Sequence, residues 1–348
     1  MTALTVPARP EQDASLRPVP WRRMAWVTWR QQARVLLGGV AALLGGLAVY
    51  VWIAGLQLHH AYVAATACHP ATSPACGELM ISVNHMNTVL VGGYALQAVP
   101  ALIGAFAGAP MLARELETGT FRYAWTQGFG RWRWTLAKLV ALALVVAAAA
   151  GAISVLFSWY YQPYFAARDQ ALSFSQVSPL TPGLFDLRGV AFAAWTLAAF
   201  AIGGLAGMLI RRVVPAIVAT LAAYTGLAVA AGLFLRRHYL TPLVTSKLND
   251  VPAAAWITSQ WGTKGGKFAF AGQPPIDLFQ QLCPPAAVGT KQMLSPAQCL
   301  VQHGYTLWAS YQPASRFWPF QWIEGSWLLA LSVLLIAVTV WVVRRRAT

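Results

Sequence analysis

The sequence predicts an all-α integral membrane protein with six transmembrane helices and with both termini on the inner side, and three observations predict it. Six stretches contain no Asp, Glu, Lys or Arg: Val35–Leu58, Thr88–Ala113, Leu139–Phe165, Gly189–Ile210, Val213–Leu235 and Gly325–Val343. A helix needs about 20 apolar residues to cross the hydrocarbon, and each stretch is close to that length or above it. The stretches lack the period-two alternation of barrel strands, so helices are left as the way to satisfy every backbone donor and acceptor in lipid. Basic residues, finally, are sorted by side. With the N-terminus inside, sixteen of the 25 Lys and Arg fall in inward-facing segments, and the first outer loop, about 57–87, has none. Bias of this kind over short loops sets orientation.

At 57% hydrophobic and 10% charged residues, with a mean hydropathy of +0.53, the chain is excluded from the class of soluble globular domains. Its net charge of +15 would suit nucleic acid by size alone. The charge flanks the inner ends of the spans, however, where anionic lipid headgroups attract it. Membrane lipids are therefore the expected partner of this charge, and nucleic acid is not.

Taken in order, residues 1–20 hold Pro and Arg and read as a disordered cytosolic tail. Residues 21–34 come next as an interfacial amphipathic helix: Trp21, Trp26 and Trp29 alternate with Arg22, Arg23, Arg30 and Arg34, which suits rings at headgroup level beside snorkelling guanidinium groups. The same residues could simply anchor the first span. Residues 35–348 form the six-helix domain, and the first apolar run is too long for a cleavable leader, so it is expected to stay as a signal anchor. Gly104 and Gly108 lie four apart in the second span, as do Gly203 and Gly207 in the fourth. That spacing lets helices approach closely, either within the monomer or at a dimer seam. Only Arg211 and Arg212 separate spans four and five, enough for a tight inner turn. Arg236, Arg237 and His238 end span five on the outer side, against the charge bias. The long outer loop, 236–323, is rich in Pro, Gly and Trp and reads as an interfacial anchor or a lid.

Cys68, Cys76, Cys283 and Cys299 all fall in outer loops, where disulfides persist. Pairing Cys68 with Cys76 and Cys283 with Cys299 would close one loop each. Cross-loop pairs and free thiols are the alternatives, since connectivity is not fixed by sequence.

The residues that stand out are Arg114-Glu115-Leu116-Glu117-Thr118-Gly119-Thr120, a compact charged elbow between spans two and three. Glu115 and Glu117 continue the helix of span two, Gly119 suits a left-handed cap, and Thr120 can cap the segment after it. A short acidic helix clamped between two spans can pass movement from a soluble partner into the membrane. An ordinary cytosolic loop would carry the same residue types.

Glu115-Leu-Glu117-Thr-Gly119-Thr120 resembles the Glu-Arg-Glu-x-Gly-Thr signature of ABC-2 type transporter permeases, which comes after their second span. Trp26-Val-Thr-Trp29-Arg30-Gln31 is similar to the N-terminal interfacial segment of actinobacterial members, and the six-span layout agrees along the whole chain. The resemblance implies a multi-pass subunit of a bacterial, actinobacterial plasma membrane. It implies that Glu115, Glu117, Gly119 and Thr120 lie on or beside a coupling helix that docks into a cleft of a separate cytosolic ATP-binding subunit. Leu116 stands where the family signature has Arg. A second permease copy, or a related chain, would complete the pathway, and export rests on the resemblance alone.

The residues exclude several other chemistries. Gly262-Thr-Lys264-Gly-Gly266-Lys267-Phe268 is the nearest approach to a phosphate loop, but its spacing fails and it lies outside. No cofactor is expected in this chain; ATP and Mg would sit on the partner, so the chain is not expected to be an enzyme. The six histidines fall in outer segments with no HExxH or CxxC spacing, so no metal is expected. The six apolar runs hold no ionisable residue, which disfavours a proton-coupled secondary transporter and suits a hydrophobic or amphipathic cargo. That transporter class, and a non-transporting sensor or anchor acting through the outer loop, are the alternatives to an ABC permease.

Overall fold

The computed structural model of the chain describes residues 39, 41–68, 75–78, 96–119, 131–163, 165, 178–247, 250–252, 254–282 and 296–345. The tail 1–20, the interfacial helix 21–34, Thr120 and Cys283 lie outside the described residues.

In chain order the elements are α1 (Ala41–Ala67), α2 (Ala98–Glu117), α3 (Arg131–Tyr160), α4 (Gly189–Ile210) and α5 (Val213–His238). Next come β1 (Leu243–Thr245), β2 (Trp256–Lys264), β3 (Lys267–Ala271), α6 (Ile276–Leu282), α7 (Pro296–Gln302), β4 (Tyr305–Gln312) and α8 (Phe317–Arg345). Six of these helices, α1 to α5 and α8, are long and apolar enough to cross a membrane. The expected all-α membrane class and its six spans are thus borne out.

At the centre lies α4, packed against α2, α3, α5 and α8. Its small residues decide how. A methyl group built on Gly203 would lie 2.2 Å from the Gly104 carbonyl oxygen, and one on Gly207 would lie 2.3 Å from that of Ala109. Backbone therefore touches backbone where α2 crosses α4, which is what small residues four apart permit. Both glycine pairs serve packing within the chain. On the periphery α1 leans on α3: a methyl on Gly55 would meet the Trp159 ring at 2.3 Å, and that ring stacks on Trp52 at 5.1 Å and His59 at 4.5 Å. His59 and His60 accordingly belong to a helix and not to the outer loop.

Two spans contain a wide π turn. In α2 it covers Gly104–Gly108, just before Pro110. Proline has no N–H and its ring crowds the carbonyl four residues earlier, and a π turn accommodates the missing bond. Between α4 and α5 the chain reverses in two residues. Arg211 takes a left-handed conformation, φ 61°, and donates its N–H to the Gly207 carbonyl at 3.1 Å.

The outer segment holds an antiparallel four-stranded sheet, order β1-β4-β2-β3, which the reading as an anchor or lid did not foresee. Gly265 and Gly266, with φ 56° and 80°, form the two-residue β2–β3 turn. Positive φ at both central positions is what a type I′ hairpin turn requires, so the glycines that resemble a phosphate loop serve a turn. Trp261 and Trp308 are cross-strand partners stacked at 6.2 Å. Ser178 Oγ donates to the Ala254 carbonyl at 2.8 Å, and Gln312 Nε2 to that of Leu240 at 2.7 Å, fastening the sheet to the outer ends of the spans.

Candidate functional site

The inner elbow forms where α2 leaves the packed core. Met111, Leu112 and Ala113 are buried, and the chain then turns outward with Arg114, Glu117 and Thr118 exposed. Thr118 closes the helix twice over, its N–H and its hydroxyl both donating to the Arg114 carbonyl, at 3.0 and 2.8 Å. Gly119 comes next at φ +71°, the left-handed cap expected of it.

Two carboxylates at a helix C-terminus oppose the helix dipole, and the fold answers each. Glu117 Oε2 accepts the Val213 N–H at 3.0 Å; this places it at the positive N-terminal end of α5, where an anion is stabilised. Glu115 Oε1 accepts from Lys138 Nζ at 2.5 Å, and the same ammonium donates to the Met111 carbonyl at 3.3 Å. Lys138 is fully buried on α3, not snorkelling. The elbow is therefore held by α3 and α5 together. Sequence reasoning found Glu115, Glu117 and Gly119 but missed their partners, which lie 23 and 96 residues away.

At the outer end, three charges far apart in sequence converge. Arg236 is the pivot, donating through Nε to Glu324 Oε2 at 3.0 Å and through Nη2 to Glu324 Oε1 at 2.6 Å. It also pairs with Asp186, donating from Nη1 to Oδ2 at 3.3 Å and from Nη2 to Oδ1. Glu324 is wholly buried on α8 and takes a further bond from the Trp195 indole at 2.7 Å. The six apolar runs do hold no ionisable residue, yet the helices are longer than the runs. The apolar runs stop short of Arg236 and Glu324, but α5 and α8 do not.

The π turn of α5 aims Arg236 inward. Ala216, Thr220, Tyr224 and Ala231 mark the buried side of α5. A regular helix would next bury residue 235, yet Leu235 is exposed and Arg236 is buried. The extra residue in the turn Ala231–Leu235 rotates the last turn by one position, an insertion often found at functional sites. The signal available in sequence was the pair of arginines on the wrong side of the charge bias.

Beside this network lies a cavity of about 670 Å³ between α2, α4 and α5, lined by Gln97, Asp186, Trp195, Leu221, Tyr224 and Arg236 among others. Gln97 Nε2 donates to Asp186 Oδ2 at 3.3 Å. Arg188 stands apart from the network, packed between the Phe165 ring at 4.5 Å and the Phe317 ring at 5.0 Å. Burial pushes its guanidinium down to about 10, which still leaves it cationic at neutral pH.

Of the cysteines, Cys68 and Cys76 form a disulfide, as expected. Cys299 is disulfide-bonded too, while Cys283 lies outside the described residues. Among the described residues no cluster of three or more His, Cys, Asp or Glu could hold a metal ion.

Six spans, an acidic elbow at one end of the bundle and a cavity among the helices at the other define a multi-pass membrane protein. A family model described as ABC-2 membrane transporter related matches residues 41–236, more than half of the chain. The chain belongs to this family. The match runs from α1 to Arg236 and so covers the elbow, Asp186 and most of the cavity wall. No curated protein and no solved structure matches the chain.

Proposed function

We propose that this permease is driven by a separate cytosolic ATP-binding subunit that engages the elbow ending at Gly119, and that it moves a hydrophobic or amphipathic cargo outward. The observation that carries the reading is the double anchoring of the elbow, Glu115 to α3 and Glu117 to α5. A force applied to the exposed Arg114, Glu117 and Thr118 reaches three spans at once. Two copies of the chain, or this chain and a related one, would complete the pathway, and ATP with Mg would reside on the partner.

The test is co-expression with a candidate ATP-binding subunit, then copurification and ATP turnover in reconstituted vesicles. Glu117→Lys is expected to abolish cargo-stimulated turnover with membrane insertion intact. Glu117→Gln, which keeps an acceptor for the Val213 N–H, is expected to retain most of it. Equal turnover in wild type and Glu117→Lys would count against the elbow as the coupling point.

The buried Glu324 on α8, with the half-buried Asp186 beside it, favours a second reading, proton-coupled transport. It predicts transport lost on collapse of the proton gradient with ATP present. Against it stands Arg236, which already neutralises one of the two carboxylates.

A further inference from the structure

Helices α2 and α5 touch at one end and part at the other. At their inner ends Ala109, Ala113 and Ala216 share a buried cluster, with Val213 and Ile217 packed on it. Small side chains let the two helices close there. Toward the outer ends the cavity of about 670 Å³ separates them, with Phe192 and Trp195 of α4 as its back wall.

The mouth of this cleft faces sideways, along the spans. On α5 its edge is Thr225, Val229 and Leu233, on successive turns. All three are exposed, Val229 and Leu233 by about half. On α2 the opposite edge is the exposed Ala98 and the half-buried Leu102. Val214 and Val218, also exposed, begin the stripe of α5 that Val229 and Leu233 continue. The lipid-facing surface of this span therefore runs directly into the cleft.

Charge and length narrow the occupant. The lining holds one carboxylate and one guanidinium, Asp186 and Arg236, and they are paired. The Asp186 oxygens accept from Arg236, Gln97 and the Gly183 N–H, so the lining carries no unpaired charge. From Leu221 to Leu233 the α5 wall is about 18 Å long at 1.5 Å per residue. The hydrocarbon of one leaflet is about 15 Å deep, half of the bilayer core. An upright hydrocarbon chain matches that length, and the volume is in the range of small-molecule sites.

We propose that the cleft between α2 and α5 takes one acyl chain of an outer-leaflet lipid, entering sideways past Val229 and Leu233 while its headgroup stays at the interface. Binding derives from the cleft alone; calling the lipid cargo rests on the permease reading above.

The experiment is photolabelling of the purified full chain in vesicles of phosphatidylcholine that carries a diazirine halfway along one acyl chain. Adducts are then mapped by mass spectrometry. Val333 on α8, 65% exposed, reports bulk lipid. Phe192 and Trp195, 1% and 3% exposed, are expected to be labelled as well, because a chain inside the cleft lies against them. No atom lies within 4 Å of a methyl built on Gly232, which lines the cleft, so Gly232→Leu fills space without a clash. That variant is expected to cut the back-wall adducts at least tenfold relative to those on Val333. Ala228→Trp, one turn inward, should do the same. A phosphatidylglycerol probe should label the back wall within twofold of phosphatidylcholine; a tenfold preference for either head would refute recognition by the chain alone. Wild-type labelling of Val333 without the back wall, or back-wall labelling undiminished in both variants, overturns the proposal. An unlabelled back wall together with a disulfide-linked dimer of Val229→Cys would assign the cleft to a second copy instead. Back-wall adducts with ATP turnover of the complex unaltered by Gly232→Leu keep the site and lose the cargo reading. Stimulated turnover without back-wall adducts overturns the site and keeps the permease reading.

Discussion

Arg236 and Lys138 are both buried cations, yet they stand in different energetic positions. Arg236 is surrounded by two carboxylates, one of them completely removed from water. Deleting one partner of a buried ion pair costs about 3–5 kcal/mol, because the remaining charge is stranded. Arg236→Met is therefore expected to lower the unfolding midpoint of the purified chain sharply in a thermal assay. Adding Asp186→Asn and Glu324→Gln to that variant should recover a large part of the loss, since the triple variant strands no charge; absence of recovery would mean that Arg236 acts through packing alone. Lys138→Met is expected to cost less, roughly 1–2 kcal/mol, because Glu115 keeps a quarter of its side chain exposed and can be rehydrated. A midpoint drop for Lys138→Met as large as for Arg236→Met would show that the inner ion pair is sealed from water.

At the scale of elements, the α2–α4 crossing is fixed by what cannot be added to it. The atoms that would meet a methyl on Gly203 are the Gly104 carbonyl and the Ala109 nitrogen, at 2.2 and 2.8 Å. Both belong to backbone, so neither can swing away. Gly203→Ala is expected to destabilise by about 1–3 kcal/mol, the usual cost of overpacking. Gly226→Ala on α5, where nothing lies within 4 Å, is expected to be neutral or to stabilise by up to about 1 kcal/mol through helix propensity. Thermal midpoints of the two variants check the contrast, and equal effects would disprove the close crossing. The six spans were legible because length and the absence of charge suffice to define them, and Gly119 was legible because a helix end wants that residue. Other features were not legible, for a common reason. The π turns depend on where a side chain must point, which no local pattern encodes. Arg236 and Glu324 stand 88 residues apart at the edges of apolar runs, where a loop residue would look the same. The Gly265–Gly266 hairpin was within reach, flanked as it is by Trp261, Thr263 and Phe268; reading those glycines against a phosphate loop obscured the turn signal.

For the whole molecule, the two ends of the bundle share their helices. The elbow closes α2 and is tied to α3 and α5, and the cavity lies between α2, α4 and α5 at the other end. With α4 packed against both α2 and α5, a displacement of the inner ends of α2 and α5 changes the spacing of the cavity walls. That arrangement requires the elbow and the sheet to lie on opposite sides of the membrane, which the basic residues argue only by their bias. Thr118 and Phe268 are both exposed and make suitable reporters. Thr118→Cys is expected to react with a membrane-impermeant maleimide in inside-out vesicles and not on intact cells. Phe268→Cys is expected to react on intact cells and not in sealed inside-out vesicles. Labelling of Thr118→Cys from the outer side would place the acidic elbow away from any cytosolic partner, and the mechanical link from ATP to cavity would then have no point of attachment.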